Sequence, residues 1–359
     1  MNPRLFVFDA RRVRANHKLL FPIAVLILSV MAIGQDDSVS GQSGEPARQP
    51  AWGTTDSPTA ASVQFQTALD PVDARITYQT AQFGSGGVGL RNRGTGAIGV
   101  SGVVTPVKAA YVYWAVITTG AALAPDKSIK LQRLSPTPAS AVVSVTGTLI
   151  GTGASPCWPG NTISVFRGAV PVTVATGNGL YQITLLARAG GLTNGADPWV
   201  GAQTLPLMEG ASLVIVGTGV AGQRVVIYDA GLAGNTFRGD TGLSYSLTLP
   251  VATTGKLTLL DNIGADGQEG ASRLAKAGNA NERTTINGVN VAGPGSVAND
   301  SDWNGSSAKP LPQLWDDTGH DITSATPKGT TVLNFEIQRL GSSSTIDCMT
   351  TVANIIQEQ

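Results

Sequence analysis

Leu213-Val214-Ile215-Val216-Gly217-Thr218-Gly219-Val220-Ala221-Gly222-Gln223-Arg224-Val225-Val226-Ile227-Tyr228-Asp229 is the stretch that decides between two folds. An apolar run leads into a GxGxxG pattern, and Asp240 follows about twenty residues on, which is the outline of a dinucleotide-binding βαβ unit. That unit needs a helix after its glycines, because the amides of the first helical turn hold the pyrophosphate. Here Gln223 leads instead into Arg224–Asp229, a β-branched run with no helical period. The stretch therefore reads as a hairpin, two strands around a glycine-rich turn, and no nucleotide cofactor is expected. The same glycine spacing recurs at 84–89 and 94–99, as befits a chain with 44 glycines.

The rhythm on either side agrees. Leu243, Tyr245, Leu247 and Leu249 alternate with Ser244, Ser246 and Thr248. Leu333, Phe335 and Ile337 do the same, as do Tyr181, Ile183 and Leu185, and Val143, Val145 and Leu149 read as sharing one face. Successive side chains of a strand point to opposite faces, so this is the signature of half-buried sheet. Tyr111–Ile117 and Leu213–Val216 are apolar on both faces and suit central strands covered on both sides. Asn287-Gly288, between Ile286 and Val289, is a hairpin signal. The best helical stretch beyond the N-terminal region is Gln268–Lys276, a loop decoration. The expected fold is all-β: an antiparallel, jelly-roll-like β-sandwich over 61–359, or two sandwiches packed together.

Residues 1–34 differ from the rest. Arg4, Arg11, Arg12, Arg14 and Lys18 precede the uncharged run Leu19–Gly34, with Ala32 and Gly34 at the small-residue positions before Gln35. A basic start, an apolar middle and a small-residue end form the secretory pattern. An uncleaved N-terminal membrane anchor is the alternative. Residues 35–60 are rich in Gly, Pro and Ser and read as a flexible linker. Removing the five bases and one acid of 1–34 from totals of 24 and 24 leaves 19 basic and 23 acidic groups, a net of −4. A mildly acidic chain lacks the electrostatic footprint for nucleic acid. Cys157 and Cys348 are the two cysteines. In an exported chain they are expected to pair. Such a bridge would close a long loop and contribute roughly 4–5 kcal/mol by chain entropy.

Four motifs have chemical readings. Asp261-Asn262-Ile263-Gly264-Ala265-Asp266-Gly267-Gln268-Glu269 and Asn299–Asn304 are rich in oxygen ligands, so Asp261, Asp266 and Glu269 are candidate calcium ligands, although EF-hand spacing is not met. Solvated turns are the plainer reading. Beyond the leader His320 is the lone histidine. Without a GxSxG elbow or a metal-binding cluster it reads as a surface residue, and no catalytic residue is assigned. Few glutamates are available for a two-carboxylate glycosidase. Trp158, Trp199, Trp303 and Trp315 sit in Gly-, Pro- and Asp-rich loops, where they either cap the core or stack on sugar rings.

Ala110-Tyr111-Val112-Tyr113-Trp114-Ala115, Gly179-Leu180-Tyr181, Gly210–Val216 and Arg224–Gly231 together resemble an exported β-sandwich domain of unknown function found in bacterial and archaeal cell-surface proteins. The resemblance runs from about Ile76 to Ile356. It implies a secreted or surface-displayed sandwich with no established catalytic residues. The expected role is non-catalytic interaction or structure, with a glycan or envelope component as partner. The alternative is a carbohydrate-binding or carbohydrate-active protein with structural calcium.

Overall fold

Tyr111–Ile117 lies inside a long strand, β4 (Val107–Thr118), and its two apolar faces enter two different cores. Val112, Trp114 and Val116 point into one, and Tyr113, Ala115 and Ile117 into the other. Its neighbours β10 (Leu207–Thr218) and β8 (Thr162–Ala169) run antiparallel to it. With β2 (Ala81–Gly89) and β7 (Thr148–Ala154) they form a five-stranded sheet in the order β2-β10-β4-β8-β7. The computed structural model describes residues 75–155, 158, 160–186, 191–193, 195, 204–229, 236–238, 243–265, 282–293, 295–296, 315–339 and 348–359, with backbone alone at 236–238, 282, 339, 348 and 349. The leader 1–34, the linker 35–60, the helical candidate Gln268–Lys276, Cys157, Asp266, Glu269, Trp199 and Trp303 lie outside the described residues.

Three further antiparallel sheets occur among the described residues. One has the order β3-β9-β5-β6, from β3 (Thr95–Val100), β9 (Gly179–Leu185), β5 (Ser128–Arg133) and β6 (Val143–Thr146). The second has the order β1-β11-β19-β14-β17, from β1 (Arg75–Gln79), β11 (Arg224–Asp229), β19 (Cys348–Glu358), β14 (Thr258–Ala265) and β17 (Trp315–Asp321); a short β12 (Thr236–Arg238) also pairs with β19. The third has the order β13-β18-β15-β16, from β13 (Leu243–Thr248), β18 (Val332–Arg339), β15 (Glu282–Ile286) and β16 (Val289–Ala292).

Three apolar cores order these sheets into a stack. The β3-β9-β5-β6 sheet packs on the five-stranded sheet through Ile98, Ile129, Ile183, Val112, Trp114 and Leu213. The other face of the five-stranded sheet meets the β19-centred sheet through Tyr113, Ile117, Val214, Val225, Ile227, Ile263 and Ile355. The far face of that sheet meets the fourth through Val226, Leu260, Ile356, Tyr245, Leu333 and Phe335. The architecture is thus two β-sandwiches packed face to face, with the five-stranded and β19-centred sheets inside and the four-stranded sheets outside. Alternation is clear in the outer strands β3 and β9 and disappears in the inner β10 and β11, which are buried almost throughout.

Two expectations about connectivity need correction. Leu213–Val216 and Arg224–Asp229 are strands, and no helix follows Gly222, but they are not a hairpin. β10 pairs with β2 and β4, whereas β11 pairs with β1 and β19, so residues 219–223 form an arch from one inner sheet to the other. The β1–β2 link makes the same crossing beside it. Gly219 N–H donates to the Thr80 carbonyl at 2.8 Å, and Ala81 N–H to the Gln223 carbonyl at 3.3 Å. Leu149 does not share a face with Val143 and Val145. The chain changes sheets at Gly147, so Val145 enters a core while Leu149, on the edge strand β7, is half exposed. The Asn287-Gly288 hairpin is present as expected, with Ile286 opposite Val289 and both turn residues at positive φ.

Candidate functional site

Polar side chains inside an apolar stack need partners or they carry a desolvation penalty. Two such groups among the described residues stand out at the contact between the two inner sheets. The first begins at Trp315, fully buried at the start of β17, whose indole lies over Gly210 of β10. A Cβ on Gly210 would stand 2.5 Å from the ring, so the residue there must be glycine for the sheets to close. The Trp315 Nε1–H donates to Ser212 Oγ at 2.9 Å. Two residues along β17, Asp317 faces the same way, with the Ser212 and Ser85 hydroxyls beside its carboxyl. Burial pushes its pKa up to about 6, and the two serine hydrogen bonds oppose that rise.

The second group joins Arg167 on β8, Asp229 at the end of β11 and Tyr113 on β4. Arg167 and Asp229 form an ion pair, and the Tyr113 hydroxyl donates to Asp229 Oδ1 at 3.1 Å. Arg167 also lies 5.5 Å from the Tyr111 ring centre, and the Tyr111 and Tyr78 hydroxyls are 2.6 Å apart. Burial raises the Asp229 pKa against the pull of Arg167. Burial acts most strongly on the Arg167 guanidinium and lowers it, but Asp229 and Tyr113 together outweigh this and leave it above its ordinary value. A third pair, Arg224–Glu358, sits on the opposite face of the β19-centred sheet. Its guanidinium also donates to the Val251 carbonyl at 2.9 Å. The first two networks join strands of different sheets and read as fasteners between them, whereas Arg224–Glu358 links two neighbouring strands of one sheet. Sequence reasoning missed them, although the lone charge in TISVFRGA and the two at the ends of RVVIYD were a signal.

The candidate residues from the sequence separate. Asp261 is not in a loop: it is buried in β14, opposite Gly319 of β17 and Ile355 of β19. The strand extends to Ala265 because Ile263 and Ala265 are needed in the inner core. Leu314–Asp321 is likewise mostly strand, and this places His320 opposite Leu260, partly exposed. No cluster of three His, Cys, Asp or Glu side chains suited to a metal occurs among the described residues. Trp315 is core and unavailable for stacking on a sugar, and Trp158 packs against the same inner core. Cys348 opens β19, while the side chains of both cysteines lie outside what is described.

The strand ends divide the connections into two sets. The links 155–161, 186–206, 266–281, 293–314 and 340–347, and the link from Asp229 to Leu243 through β12, all leave from one end of the stack. There the end of β14 is paired with the starts of β17 and β19, and Trp315 at the start of β17 rests on Gly210 near the start of β10. The four longest links, 186–206, 266–281, 293–314 and the one from Asp229 to Leu243, are all in this set, whereas the opposite end carries links of ten residues or fewer, among them 101–106, 219–223, 249–257, 287–288 and 322–331. The acidic and aromatic loops noted in the sequence belong to the first set. This end is the candidate site of interaction.

No family model matches the chain, and neither does any curated protein. Among solved structures, N-glycanase F (PNGase F) is 12% identical over 78% of this chain and 96% of that chain, with a TM-score of 0.25. A β-porphyranase of glycoside hydrolase family 86 from the human gut bacterium Bacteroides plebeius is 11% identical over 75% and 35%, with a TM-score of 0.20. The VP2 subviral particle of infectious bursal disease virus is 10% identical over 81% and 74%, also at 0.20. Likenesses this slight assign neither a fold family nor an activity.

Proposed function

We propose that this chain is an exported β-sandwich protein with a non-catalytic role at the cell surface, in which the long-loop end engages an envelope component. The observation that carries the reading is the gathering of the long links at one end of a stack whose interior polar groups hold sheets together. A rigid sheet scaffold bearing variable-length loops is a general way to build a binding surface. The secretory pattern of 1–34 and the mildly acidic remainder support the compartment. The Cys157–Cys348 bridge belongs to the same proposal.

The test replaces 266–281 and 293–314 with Gly/Ser spacers of equal length and measures retention on lipid-extracted cell envelopes. The expected result is at least a tenfold loss of retention with an unchanged melting temperature. Retention equal to that of the unaltered chain would remove the loop end from the proposal.

A further inference from the structure

The short-link end of the stack has an unusual surface. Among the described residues, several large apolar side chains stand exposed there, including Val104 at 56%, Val220 at 58% and Val251 at 52% exposure. They are connected through the backbone. Thr218 N–H donates to the Val104 carbonyl at 2.9 Å, two residues before Val220. Arg224 bonds the Val251 carbonyl across the next layer. Leu257 follows, its carbonyl taking the Gln359 N–H at 3.1 Å, and it too is exposed. The row therefore crosses from the five-stranded sheet through the β19-centred sheet toward the β13 sheet.

Exposed lysines accompany the row. Lys108 reaches the Gln79 and Thr80 carbonyls at 2.7 Å beside the two arches. Lys256 precedes Leu257, and Lys328 lies against Gly255. Asp321 is the exposed carboxylate side chain at this end among the described residues, and Thr323 binds it. Glu358 is buried and paired with Arg224. Asp126, Glu209, Asp229, Asp316 and Asp317 lie toward the long-loop end instead. Apolar tips with a rim of lysines match the interfacial region of an anionic bilayer, where the tips enter below the headgroups and the ammonium groups meet phosphate.

We infer that the short-link end is a membrane-surface contact that rests on anionic lipid through Val104, Val220, Val251 and Leu257, with Lys108, Lys256 and Lys328 at the headgroups. This goes beyond the loop-end reading and fails separately from it, because that test contains no lipid. The full chain is mixed with vesicles of phosphatidylcholine containing one quarter phosphatidylglycerol, and amide hydrogen exchange is followed by mass spectrometry. A position-resolved readout separates this contact from any attachment through Leu19–Gly34. Exchange in 101–106, 219–223 and 249–257 should slow severalfold, weaken in 0.5 M salt, and revert in a Val104→Asp/Val220→Asp/Val251→Asp variant that melts at the same temperature. Unchanged exchange in those segments of the vesicle-bound chain, or equal slowing on neutral vesicles, would overturn the inference.

Discussion

At the residue scale, Asp317 is a group whose charge state bears on the inner contact. Its folded pKa is raised from 3.8 to about 6 by burial. A raised carboxyl favours the protonated fold, so the stability it contributes is fully present below about pH 4 and is lost as pH rises through about 6. Asp317→Asn keeps an acceptor for a serine hydroxyl and removes the titration. Thermal melts between pH 4 and pH 7 should show the variant gaining on the parent as pH rises, by on the order of 2 kcal/mol at pH 7. An unchanged difference across that range would mean the carboxyl is ionised throughout. Arg167 and Asp229 follow a different logic: their charges are matched, and removing either leaves the other desolvated between two sheets.

At the scale of elements, the arch at 219–223 shows both what alternation encodes and what it omits. The period-two pattern and its doubly apolar variants identified β4, β9, β10, β11, β13 and β18 as strands, because burial on one face or two is written directly into side-chain polarity. It did not say which sheet a strand joins. Hydrogen-bond partners are backbone groups that every residue carries, so RVVIYD reads alike beside β10 or across from it. The same blindness put Leu149 with Val145 and left Asp261 in a loop. Replacing 219–223 with a two-residue Asn-Gly turn tests the difference. A hairpin would tighten, but an arch is too short to cross between sheets when cut this way. The expected product is aggregated or loses its cooperative melt. The Asn287-Gly288 turn was legible because positive φ at both positions demands those residue types.

At the scale of the molecule, two sandwiches sharing an inner contact put the four longest links at one end. The sequence named the loops but not the common end from which they leave, which arises only when β14, β17 and β19 lie side by side. Cys157 belongs to the link between β7 and β8, which leaves from the end at which Cys348 opens β19. A bridge there would tie the β7–β8 edge of one sandwich to the centre of the other. Alkylation of native exported protein followed by mass spectrometry should find no free thiol, and reduction should lower the melting temperature. Two alkylated cysteines in the unreduced protein would refute the bridge.

Sheet order also bears on when the protein can fold. β19 sits between β11 and β14, although it is the last strand in chain order. Until it arrives, β1-β11 and β14-β17 are two fragments with unpaired backbone facing an empty slot. A polypeptide made from its N-terminus cannot close this gap before β19 has left the ribosome, so the two fragments become one sheet only after every other strand of that sheet has been made.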